Sequence, residues 1–171
     1  MTFATDGTLG VKTDETYATT ATFPHKLGEV VIADNGQRYM FVLASSAITA
    51  FDTVLISNTN TAQPITGALV SSVSGGGKIG FATRGAIASG SAGWVALTGN
   101  ALTIRVIAST QVTPNIPLYT SDTAGCLSSV TASASHFQVN GVYALSTASG
   151  ATATSVSAQS VVEPFVRRPI N

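Results

Sequence analysis

The feature that most constrains this chain is a succession of short runs rich in Val, Ile, Tyr, Phe and Thr, each stopped within a few residues by Gly, Asn, Pro or Ser. Helical periodicity is hard to find, so the pattern predicts an all-β domain of short strands and tight turns. The runs are EVVIA (29–33), RYMFVLA (38–44), TVLIS (53–57), ALVSSV (68–73), IGFATR (79–84), GWVAL (93–97), ALTIRVIA (101–108), PLYTS (117–121), FQVNGVYAL (137–145) and SVSAQSVVE (155–163). Asn35-Gly36 separates the first two and suits the positive φ angles of a two-residue turn, which predicts a β-hairpin over 29–44. Thr98-Gly99-Asn100 joins the tryptophan strand to its successor in the same way. The expected body is a single β-barrel or β-sandwich, jelly-roll-like or β-tulip-like, with strand order open.

Residues 27–163 carry this pattern, between an extended N-terminal arm (1–26) and a C-terminal tail (164–171). The arm has scattered aromatics, no sustained alternation and a proline at position 24, so it does not build a packed element by itself. Within the body, a shift of 64 positions lays ASTQVTPNIPLYTSDT (108–123) over ASSAITAFDTVLISNT (44–59), and TIRVIA over YMFVLA. With slightly shorter spacing, GVYALSTASG (141–150) matches GFATRGAIASG (80–90). An internal duplication follows, each half a strand, turn, strand, loop, strand unit, the two closing a sheet whose edges neither covers alone.

Composition removes several functions. Charged residues are 9% of the 171, with eight basic and eight acidic side chains in balance, and Arg167-Arg168 is the one adjacent basic pair. A nucleic-acid binder needs a basic face, so none is expected to bind here. Between Val106 and Val162 the only formally charged side chain is Asp122, and such a neutral span favours self-association or attachment to a larger surface. No window is long and apolar enough to span a membrane, and the N-terminus lacks the basic start and apolar stretch of a secretory signal.

Catalytic and metal-binding patterns are weak. SGGGKIG (74–80) fails as a phosphate loop, because Ser72 stands where the first glycine belongs and Ile79 where a Ser or Thr should follow the lysine. In ASGSAG neither Ser89 nor Ser91 has the flanking glycines of a nucleophile elbow. His25, His136 and Cys126 show no paired ligand spacing, so no metal or cofactor is expected. A hydrolase would have to gather His136 with a carboxylate, Asp122 being the nearest in sequence. Trp94, the only tryptophan, sits in a glycine-flanked strand, which suits a core residue capping the barrel or covering an opposing glycine, or else an anchor at a subunit contact.

Taken together, GQRYMFVLASSAITAFDTVLIS, IGFATRGAIASGSAGWVALTG and PLYTSDTAGCLSSV resemble the head decoration, or cement, proteins of tailed bacteriophages, over residues 28–145. The resemblance implies a non-enzymatic virion protein on the outer surface of the expanded capsid, a homotrimer bridging subunits of the major capsid protein. It places coat or subunit contacts on the arm, through Phe3, Tyr17 and Phe23, on Trp94, and on the tail, through Phe165, Arg167 and Arg168. A receptor- or glycan-binding knob of a phage head or tail fibre is the alternative, and it predicts a shallow groove lined by aromatics.

Overall fold

The computed structural model describes residues 3–6, 8–18, 22–72, 77–129 and 136–166, and of 3–6, 8–10, 108–111, 150–152 and 161–163 the backbone alone. The fold is all-β, as the strand-length runs require. Its strands are β1 (Phe3–Asp6), β2 (Thr8–Lys12), β3 (Thr16–Tyr17), β4 (Val30–Ile32), β5 (Arg38–Ala44), β6 (Thr53–Ile56) and β7 (Thr61–Pro64). After a short helix α1 (Gly67–Ser72) come β8 (Gly77–Phe81), β9 (Ala92–Ala96), β10 (Gly99–Val112), β11 (Pro117–Thr120), β12 (Leu127–Ser128), β13 (Gln138–Ala144) and β14 (Ala148–Val166).

The sheet closes twice. In the N-terminal half the strands run side by side in the order β5, β7, β6, β8, β9, and β9 pairs back to β5. In the C-terminal half β10, β12, β11, β13 and β14 repeat that order, and β14 pairs back to β10. Each ring has its first and third strands parallel and every other neighbour antiparallel. The duplication extends to local geometry. Phe51 and Asn115 occupy matching turns with positive φ, 70° and 66°, which is uncommon outside glycine. Their backbone N–H groups donate to matching carbonyls, Ala82 at 2.8 Å and Ala144 at 2.9 Å. The pairing of Thr53 with Phe81 recurs as Pro117 with Tyr143. Each half thus closes its own ring, and the two are joined where the end of β14 pairs with β8, Phe165 opposite Lys78 and Val166 opposite Gly77.

The halves differ in what their outer faces meet. Met40, Val42, Val54, Ile56, Ala62, Val95 and Leu97 fill the inside of the N-terminal ring. Gly80 leaves room there, since a Cβ would come within 2.9 Å of Val95. The outward residues of the same strands, Tyr39, Phe41, Leu55, Ile79, Phe81 and Trp94, are buried in a second cluster that continues into the C-terminal ring. Strands buried on both faces read as unbroken apolar runs, as RYMFVLA does. In the C-terminal ring burial alternates, with Leu102, Ile104, Val106, Leu118, Val142 and Ala158 inside.

Besides Thr98-Gly99-Asn100, which closes no hairpin because β9 and β10 do not pair with each other, three local expectations change. ALVSSV is not a strand: Thr66 Oγ1 accepts from the Leu69 N–H at 3.1 Å, an N-cap that starts α1 and buries Val70. The 29–44 hairpin exists, yet its loop has three residues. Ala33 N–H donates to Gln37, Gly36 N–H to Ala33, and Gly36 alone has positive φ, a type I turn closed by a left-handed glycine. Third, β14 runs through Val166, three residues into the expected tail.

The arm holds more structure than its sequence suggests. β1 and β2 form an antiparallel ribbon that pairs with no other strand among the described residues, whereas β3 extends the main sheet, Thr16 opposite Gly93 and Tyr17 opposite Ala92.

Candidate functional site

Trp94 stands opposite Phe41 on the outer face of the N-terminal ring, the two rings tilted with centroids 5.0 Å apart. His25 lies edge-on over both, at 5.0 Å from Trp94 and 5.4 Å from Phe41. Tyr17 and Phe23 pack edge-to-face on Phe41 from the arm. The glycine beside Trp94 therefore serves the opposite face, where Gly93 lets Ile87 approach. Trp94 is 2% exposed, a core residue as its glycine-flanked strand suggested, and it is the floor on which the arm lies. Glu15 fixes the arm further: it accepts from the Tyr17 hydroxyl at 2.8 Å and pairs with Lys12 at 3.1 Å. Burial, then the bond to Glu15, pushes the Tyr17 phenol up to about 12, while Tyr17 and Lys12 pull the Glu15 carboxyl down.

The C-terminal ring presents a different surface. Phe165 is 47% exposed, Tyr143 41% and Leu145 39%, all on the outer side of β13, β14 and the turn between them. Gln159 lies opposite Tyr143, and Lys78 opposite Phe165. Of the residues expected to make contacts, Phe165 is thus on the surface, Tyr17 and Phe23 are half-buried against their own chain, and Trp94 is buried. Phe3 falls on the β1 backbone, and Arg167 and Arg168 lie outside the described residues. Tyr143 and Leu145 escaped the sequence reading, because the alternation in FQVNGVYAL shifts phase at Gly141.

The remaining polar groups sit at junctions. Asp52, in the β5–β6 turn, is buried against Gly125, accepts from the Thr49 N–H at 2.7 Å and pairs with Arg105 of β10 at 2.6 Å, tying one ring to the other. Cys126 is buried beside this pair, and burial raises its thiol pKa. His136 lies 3.4 Å from Asp122, the carboxylate a hydrolase would have used, and His25 3.4 Å from Glu29. Neither imidazole is hydrogen-bonded to a hydroxyl or thiol among the described residues. Among those residues no three His, Cys, Asp or Glu side chains gather as metal ligands, and no helix is long and apolar enough to cross a membrane.

Two open hollows flank the ring junction. One, of about 550 Å³, is lined by Asn35, Gln37, Thr98, Asn100, Gln159 and Ser160. The other, of about 310 Å³, shares Asn35 and Gln37 and adds Tyr39, Thr83 and Arg84. The chain matches no protein-family model and no curated protein.

Proposed function

We propose that this chain is a virion structural protein of a tailed bacteriophage, a head decoration protein that binds the outer surface of the expanded capsid as a homotrimer and bridges major capsid protein subunits. The observation that carries the reading is the row Tyr143, Leu145 and Phe165, large apolar side chains left in water on one outer sheet face. Its strands carry almost no charge. Such a face buries against a coat surface at little cost in desolvated charge, Lys78 beside Phe165 being the exception. Full burial of a large apolar side chain contributes about 1.5–3 kcal/mol, and these are already half covered, so one copy binds weakly. Linking three copies raises the effective concentration of each contact and turns a weak grip into a durable clamp.

The β1–β2 ribbon, paired only with itself, supplies a second contact, and Arg167 and Arg168 meet coat carboxylates. The sequence resemblance to cement proteins supports the same assignment. In this reading the protein acts by binding, without a cofactor, nucleic acid or membrane.

Cosedimentation with expanded capsids tests it. Replacing both Tyr143 and Phe165 with serine should lower capsid occupancy by about tenfold or more while the protein still folds, given about 1 kcal/mol from each half-exposed ring and avidity on top. Undiminished occupancy would overturn the assignment.

A further inference from the structure

The paired hollows at the ring junction have a continuous polar floor. Arg84 Nε donates to the Tyr39 hydroxyl at 3.1 Å, and that hydroxyl donates to Gln37 Oε1 at 2.6 Å. Gln37 Nε2 reaches the Asn100 carbonyl at 3.5 Å, and Gln159 Nε2 donates to Asn100 Oδ1 at 2.8 Å. Asn35 Oδ1 accepts from the Gln37 N–H at 3.0 Å. Gly99 makes room for this run, since a Cβ there would come within 2.7 Å of Gln37 Nε2. Carboxamides from the 33–37 loop, the 98–100 turn and β14 are thereby fixed side by side in one exposed trough.

Each of these groups keeps capacity to spare. Asn35 Nδ2, Asn100 Nδ2, Gln159 Oε1 and the terminal nitrogens of Arg84 make no further hydrogen bond among the described residues. Thr83 Oγ1, on a residue in the wall of the smaller hollow, is buried without a partner among the described residues. A carboxamide offers a donor and an acceptor side by side, which matches neighbouring hydroxyls that both donate and accept. The larger hollow falls within the span of small-molecule sites, about 300–1,000 Å³.

Charge selects the ligand class. Among the described residues no carboxylate lines either hollow, and Arg84 is the one cation. It is already held over the Tyr39 ring, and Asp14 and Glu15 line the cleft on its other side, so an anion gains little there. We propose that this trough binds a neutral, hydroxyl-rich oligosaccharide. The site stands whether or not the chain binds a capsid, and its test uses the free protein.

The probes are neutral hexamers of glucose, galactose, mannose and N-acetylglucosamine, titrated to about 10 mM, ten times a millimolar Kd. The readout is the side-chain amide signals of Asn35, Gln37, Asn100 and Gln159 in nitrogen-correlated NMR spectra. At least one hexamer should shift these signals, with a Kd insensitive to added salt. Asn100→Ala and Gly99→Ala should each weaken it by about tenfold, the second by crowding Gln37, with melting curves confirming that both fold. Four silent hexamers would overturn the proposal. So would a galacturonate hexamer that binds more tightly than any neutral one and is released by salt, an uncharged peptide hexamer that does the same without salt dependence, or binding that both variants leave intact.

Discussion

Trp94 shows how one side chain settles the use of a whole surface. Its ring and that of Phe41 form an aromatic floor, and His25, Tyr17 and Phe23 lie on it edge-first. Trp94→Ala should cost about 3–5 kcal/mol in urea unfolding, the range for a large buried aromatic that leaves a cavity. A loss below about 1 kcal/mol, ordinary for a surface site, would mean that the arm does not rest on this floor. Tyr17 gives a pH signature. A raised phenol pKa means that the fold holds the neutral form, so its contribution is complete below the ordinary 10.0 and fades as pH climbs through about 12. Comparing phenolate absorbance of the wild type with Tyr17→Phe should isolate a component titrating near pH 12; a difference centred at the ordinary value would contradict the packing of Tyr17 and its bond to Glu15. Glu15 acts in the opposite sense, its share lost as acid protonates it.

At the scale of elements, the β1–β2 ribbon pairs with no other strand among the described residues, and the side chains seen to fix the arm begin at Val11, packed on the core, and Lys12. Removing residues 1–10 should therefore shift Tm by no more than a few degrees, as for a change of about 1 kcal/mol or less, while capsid occupancy falls. A collapse of Tm would make the ribbon part of the body. How much of this was legible in the sequence differs strand by strand. The strands of the C-terminal ring alternate, and RYMFVLA announced its double burial by lacking alternation. α1 was hidden because Leu69, Val70 and their neighbours read as strand, while the cap at Thr66 carries no strand signal. β7 and β12 are short and bordered by polar residues, so no local pattern marks them, yet each is the parallel partner that lets a ring close. Tyr143 was obscured by a shift of phase: the irregularity between Asn140 and Val142, with Gly141 at positive φ, sends Gln138 and Tyr143 outward at odd spacing.

For the whole molecule, duplication produced two rings of one topology that diverged at their outer faces. Where the N-terminal ring carries Phe41 opposite Trp94, the C-terminal ring carries Arg105 opposite Ser155, and Arg105 reaches across to Asp52. Gly125 has φ +74° and adjoins Asp52, so Gly125→Ala strains the backbone and crowds the pair that ties the rings. It should cost more than about 1 kcal/mol in thermal unfolding; a neutral effect would show the tie to be dispensable. One outer face is closed by the chain itself, and the other keeps Tyr143, Leu145 and Phe165 in water, which is the basis for assigning it to a capsid lattice. Electron cryomicroscopy of expanded capsids mixed with the purified protein tests that assignment most directly. Density at regular three-fold-related positions on the outer shell is the predicted result, and a bare shell with the protein left free in solution is the result that contradicts it.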